Sequence, residues 1–302
     1  MSEPTDTSQV EVVENEEGDL LPPPEKVDVT DAEVTVFAAD VHMDYRVTLD
    51  ADKNSKRGKL QIGKARTTFH ALRGVSLYAC EGEFVGLLGR NGSGKSTFLR
   101  VLAGLETPTS GTVMATAKPQ LLGVSAALLP NLSGLENIRL GLLAMGMSPE
   151  EAEARRDRIV EFADIGDSIR MPMRTYSSGM GARLRFAISV AADPEIIMID
   201  EALATGDAAF LERSQLAMRQ LMTRSGTGFL VSHSAGTIES MCSRAVWMDQ
   251  GQVVADGEPS EVLRQYQRFA KALAKGRPEG AAKIRREQRE ALEARNFLPG
   301  NH

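Results

Sequence analysis

The chemistry in this sequence is concentrated in one octapeptide, Gly89-Arg90-Asn91-Gly92-Ser93-Gly94-Lys95-Ser96. Its spacing is GxxxxGK[ST], it follows the apolar run Phe84-Val85-Gly86-Leu87-Leu88, and it opens a helical stretch beginning at Lys95. Glycines there let successive backbone amides converge on phosphate oxygens, and a helix N-terminus adds its positive end. Lys95 is long enough to reach β- and γ-phosphates, Ser96 offers a hydroxyl to Mg²⁺, and Thr97 follows in the first helical turn. A glycine-rich surface turn is the plain alternative, but strand, loop and helix stand in the required order. ATP and Mg²⁺ are the expected cofactors.

About a hundred residues later, Ile196-Ile197-Met198-Ile199-Asp200 reads as a buried strand ending in a carboxylate, with Glu201 directly after it. The carboxyl end of a strand is where open α/β sheets bind ligands. Asp200 suits the Mg²⁺ ion, and Glu201 suits the orientation and polarisation of an attacking water. A lone Asp-Glu pair is usually a solvated loop, so its weight comes from the phosphate loop. His233 ends another apolar run, Leu230-Val231-Ser232, and in a parallel sheet it would reach the same edge, placed for a γ-phosphate contact.

A second site for an anion is suggested by Tyr176-Ser177-Ser178-Gly179-Met180, small residues and serines at the start of a helix. These residues, just upstream of the Asp200 strand, resemble the signature of ATP-binding-cassette (ABC) ATPases, usually LSGGQ. The resemblance covers roughly residues 34–263. It implies an α/β P-loop NTPase fold with a mixed sheet, covering helices and a helical subdomain that carries the signature. It also implies a homodimer in which Ser177, Ser178, Gly179 and Met180 cap ATP held by the opposite protomer. Asp207 matches the aspartate of the family's D-loop at the dimer seam, and Tyr45 matches the aromatic that stacks on adenine.

The substituted signature, with Glu201-Ala202-Leu203-Ala204-Thr205-Gly206-Asp207, is most similar to ATPase subunits of polysaccharide exporters. Within that group, residues 121–137 look like the galactan exporters of mycolic-acid bacteria. That subgroup implies an ABC-2-type permease as partner, a lipid-linked glycan as cargo, and a place on the cytoplasmic face of the membrane. Export of a drug or small lipid is the alternative. One departure is plain: Val124 or a neighbour falls where most of these ATPases have the Q-loop glutamine, and Gln120 comes too early. About forty residues follow Leu263, so the β-sandwich that some of these exporters append is not expected.

The elements that must position these residues follow from periodicity. Strands are expected at 33–39, 67–77, 83–88, 111–114, 195–199, 228–232, 244–249 and 252–256. Helices are expected at 95–103, 134–145, 149–163, 179–192, 211–225, 235–242 and 258–275. The alternation is that of a sheet covered by helices. With 42% hydrophobic and 25% charged residues, the chain can bury a full core. Its net charge of −6 argues against general nucleic-acid binding. The organisation expected is an acidic disordered arm at 1–33 holding eleven acidic residues, a cassette at 34–263 and a helical, basic tail at 264–302. A basic insertion at 51–66, containing Lys53, Lys56, Arg57, Lys59 and Lys64, interrupts the cassette. Cys80 and Cys242 lack metal-ligand or CxxC spacing and read as buried thiols, and no signal or spanning segment is evident.

Overall fold

The computed structural model describes residues 33–49, 65–122, 128–200, 208–232 and 234–294. In chain order the strands are β1 (Val34–Leu49), β2 (Ala65–Cys80), β3 (Phe84–Leu88), β4 (Ser110–Ala115), β5 (Gln120–Leu121), β6 (Ile196–Asp200), β7 (Thr227–Val231), β8 (Arg244–Asp249) and β9 (Gln252–Gly257). The α-helices are α1 (Lys95–Leu102), α2 (Gly134–Ala144), α3 (Pro149–Ala163), α4 (Ser178–Ala191), α5 (Ala208–Arg224), α6 (Ala235–Met241), α7 (Pro259–Ala274) and α8 (Pro278–Glu293).

Six strands form the central sheet in the order β5-β6-β7-β3-β8-β9. Neighbours from β5 to β8 are parallel, and β9 closes the edge antiparallel to β8. β3 and β7 are buried along their whole length, which explains why their sequences are continuous apolar runs rather than alternating ones. Because β6, β7 and β3 are parallel, their carboxyl ends share one edge. The phosphate loop leaves β3 there, and Asp200 ends β6 there.

A second sheet, β2-β1-β4, is antiparallel and packs on the same core. β1 runs ten residues beyond the expected end at Ala39, and the reason lies at Asp40. Its φ of 49° places it in the left-handed region, at a bulge between Ala38 and Val41. The extra residue shifts the alternation by one, so Val36, Ala38, Val41 and Met43 all face inward. Read without the bulge, the pattern breaks at position 40. Tyr45 continues this strand opposite Phe69.

Helices α2, α3 and α4 form a subdomain with its own core around Ile138, Leu142, Ile159, Leu184 and Ile188. Capping boxes start α2 and α3: Ser133 with Glu136, and Ser148 with Glu151, each side chain bonding the other residue's backbone amide. These are sequence-local signals, and α3 begins and ends where they and its periodicity predict.

Position 263/264, expected to divide cassette from tail, lies inside α7. Val262, Leu263 and Phe269 of α7 and Ala281 of α8 belong to one buried cluster with Trp247 of β8. Phe269 and Tyr266 both pack against the Trp247 ring, with centroids 4.9 and 5.7 Å away. The apolar stripe of α7 extends across position 263 onto this indole, which joins the tail to the cassette core. Cys80 and Cys242 are buried and free. Among the described residues no helix is long and apolar enough to cross a membrane. The arm at 1–32, most of the basic insertion (50–64) and the Val124 region (123–127) lie outside the described residues.

Candidate nucleotide site

The phosphate loop leaves β3 at Gly89 and enters α1 at Gly94, whose φ of 103° is open to glycine and strained for other residues. Gly89 is required by space as well: a Cβ there would lie 2.2 Å from the Met248 carbonyl oxygen and 2.7 Å from Ser93 Oγ. Gly94 is the N-cap of α1 and brings no side-chain cap, so the amides of the first turn face outward without a protein acceptor from the cap. That is the condition in which a helix start receives an anion.

Lys95 folds back into the loop. Its ammonium donates to the Gly89 carbonyl at 2.7 Å, to the Arg90 carbonyl at 3.1 Å and to Ser93 Oγ at 3.4 Å. It is buried at 6% exposure, and burial pushes its pKa below the ordinary lysine value, with the Asp200 carboxylate opposing that shift. A desolvated cation whose hydrogen bonds among the described residues go to neutral oxygens gains from an anionic ligand at close range.

Ser96 and Asp200 meet directly, Ser96 Oγ donating to Asp200 Oδ2 at 2.7 Å. A hydroxyl and a carboxylate are hard oxygen donors, the type Mg²⁺ takes when substrate phosphates and water complete its shell. The residues present therefore fit the ion expected from the sequence.

Tyr45 lies on β1 above the start of α1. Its hydroxyl hydrogen-bonds the Glu106 carboxylate and has Thr97 as a second polar neighbour, while Arg100 Nε holds the other Glu106 oxygen at 2.5 Å. Burial, and then Glu106, raise the Tyr45 pKa. Sequence reasoning missed Glu106 and Arg100. The only local signal was an acid shortly after the helix that begins with Lys95, which is too common a pattern to single out.

The residues expected to form the signature lie at the entry to α4. Ser177 caps the helix, its Oγ accepting from the Met180 amide at 3.2 Å, and Tyr176 anchors the preceding turn by donating to the Ser168 carbonyl at 2.8 Å. Ser177 and Ser178 are exposed, and the space where a Gly179 side chain would point holds no contact closer than 3.9 Å. The helix start is thus open to an incoming group. Glu201, Asp207 and His233 lie outside the described residues, although β6 and β7, which lead to Glu201 and His233, are described.

Known proteins of one family resemble this chain. Residues 72–204 match the ABC transporter family. A teichoic acids export ATP-binding protein from Listeria innocua is 40% identical over 84% of this chain and 76% of its own length. An O-antigen export system ATP-binding protein from Myxococcus xanthus is 44% identical over 70% of this chain, which spans only 48% of that relative. Among solved structures, a dimeric ATP-binding cassette in a post-hydrolysis state with ADP and phosphate superposes with a TM-score of 0.58 at 24% identity, over 74% of this chain and 98% of the other, a likeness of fold. With a family match over residues 72–204 and a relative 40% identical over 84% of its length, the chain belongs to the ABC transporter family as an ATP-binding cassette.

Proposed function

We propose that the chain hydrolyses ATP as half of a homodimer and drives export of a lipid-linked polysaccharide through an ABC-2-type permease, at the cytoplasmic face of the membrane. The observation that carries the ATPase reading is the convergence of Ser96 and Asp200 at 2.7 Å beside an uncapped helix start. The export reading is supported by the relatives named for teichoic acid and O-antigen export.

In this reading the amides of 89–94 bind the phosphates, and the Lys95 ammonium exchanges its carbonyl partners for phosphate oxygens. Ser96 and Asp200 hold Mg²⁺, which supplies charge neutralisation at the phosphates. Tyr45, oriented through Glu106, packs on adenine. Glu201 orients the attacking water, and His233 contacts the γ-phosphate. The other protomer's Ser177, Ser178, Gly179 and Met180 close the site, with Asp207 at the seam.

The test is transport in vesicles containing the candidate permease and a lipid-linked glycan. Wild-type chain should move the glycan with ATP and Mg²⁺. Glu201→Gln should bind ATP and accumulate as a dimer without transport, since the amide keeps shape and loses the charge that polarises water. Vesicles that export a small lipid or drug but no glycan would transfer the chain to the alternative reading.

A further inference from the structure

The C-terminal hairpin reaches the phosphate loop through one tight turn, Gln250-Gly251 between β8 and β9, where both residues have positive φ (51° and 76°). On one side this turn is bonded to the loop. The Gly251 amide donates to the Ser93 carbonyl at 2.9 Å, and the Gly251 carbonyl accepts from the Arg73 amide at 2.8 Å. There is no slack in the packing: a Cβ on Gly251 would stand 2.5 Å from the Ala71 carbonyl oxygen, and one on Gly89 would stand 2.2 Å from that of Met248. A displacement of 248–251 therefore displaces the loop.

On the other side the turn is held by α8. Asp249, at its base, is buried at 7% exposure, and Arg285 Nη1 donates to its Oδ2 at 2.9 Å. One helical turn later, Arg289 Nη1 donates to Gln252 Oε1 at 2.7 Å, so two arginines on one face of α8 grip both flanks of the turn. Beside the turn, a cavity of about 330 Å³ is lined by Arg90, Asn91 and Gly92 of the loop and by Phe269, Ala281 and Arg285 of α7 and α8.

We propose that α8 is a brace for the phosphate loop, in which Arg285 is a positioning residue acting through Asp249 and the Gln250-Gly251 turn. A buried carboxylate deprived of its cation is strongly unfavourable. Without Arg285, Asp249 moves toward water, the turn follows, and Ser93 loses a fixed partner. Nucleotide must then order the loop as it binds, and the cost falls on affinity rather than on the chemical step. The Lys283–Glu287 pair, on the same helix but exposed, is the internal control.

The proposal rests on the loop being the ATP site, so the full-length wild-type chain is titrated first with a fluorescent ATP analogue and Mg²⁺. Failure of that binding would overturn the function proposed above and the brace with it. Given wild-type binding, Arg285→Gln should raise Kd about tenfold with kcat at saturating ATP within about twofold. Arg285→Lys should recover most of the affinity. Asp249→Asn combined with Arg285→Gln should bind no more weakly than Arg285→Gln alone, because both act through one link. Lys283→Ala should match wild type. An Arg285→Gln chain that binds ATP like wild type, or loses kcat with Kd unchanged, overturns the brace alone. If Arg285→Gln does not fold, Asp249→Asn serves in its place, and wild-type affinity in that variant is the overturning result.

Discussion

Ser96 and Asp200 stand 104 residues apart in the chain and 2.7 Å apart in space, the hydroxyl donating to the carboxylate. The contact depends on strand order. β3 and β6 flank β7 in parallel, so the helix that follows one strand and the acid that ends the other share an edge. What brings both to that edge is that β3 and β6 run in the same direction.

Ser96→Ala removes the hydroxyl from this pair without disturbing the core. The expected outcome is a folded chain whose ATP binding no longer depends on the metal. Chelation by EDTA should weaken ATP binding by wild type at least about tenfold and have little further effect on the variant. Titrations with and without EDTA on both proteins decide this, and a variant with the full wild-type response to Mg²⁺ would remove Ser96 from the metal site.

Two glycines of the loop should respond differently to alanine. At Gly89 the added methyl meets the Met248 carbonyl oxygen at 2.2 Å, and neither backbone can yield without opening the β8 contact. At Gly92 the φ of 78° is strained for alanine, but nothing lies within 4 Å. Gly92→Ala should cost about 1 kcal/mol of stability, from conformation alone, and Gly89→Ala several times that. Urea unfolding of the two variants measures the difference, and equal losses would contradict it.

Much of this site was legible in the sequence because its signals are local. The phosphate loop, the capping boxes at Ser133 and Ser148, and the apolar run ending in Asp200 each declare themselves within a few residues. What was hidden depends on residues far apart. The bulge at Asp40 concealed the length of β1. The two-residue strand β5 was too short for periodicity to register. Glu106 acquires meaning only when Tyr45 folds over it. The role of α8 was equally out of reach, since Arg285 in a basic tail resembles any solvated arginine until Asp249 is found buried beneath it.

Cys242 should make stability depend on alkaline pH. Burial pushes its thiol up to about 12, against roughly 8.5 in an unfolded chain. The folded pKa is the higher one, so the associated stability is fully present below about pH 8.5 and is lost as pH rises through the window toward 12. Thermal unfolding followed from pH 8 to pH 11 should show a fall in Tm that is shallower in Cys242→Ala. At pH 8 the native chain should react slowly with a thiol reagent and release both of its cysteines only in denaturant.

The cross-protomer role proposed for the signature can be separated from a role within one chain by mixing variants. Ser178 is exposed at the start of α4, where Ser177 supplies the cap, so Ser178→Arg is expected to preserve the helix while blocking its open end. Lys95→Ala disables the phosphate loop. Each homodimer then lacks a working site. In a mixed dimer, the intact loop of the Ser178→Arg chain meets the intact signature of the Lys95→Ala chain, which restores one composite site of two. Random pairing makes half the dimers mixed, so an equal mixture should recover at most about a quarter of wild-type ATPase activity, with less if the two sites cooperate. A signature that served its own chain would give no recovery, because neither protomer carries both motifs intact. Full ATPase activity in Ser178→Arg by itself would show that the signature does not close the site at all.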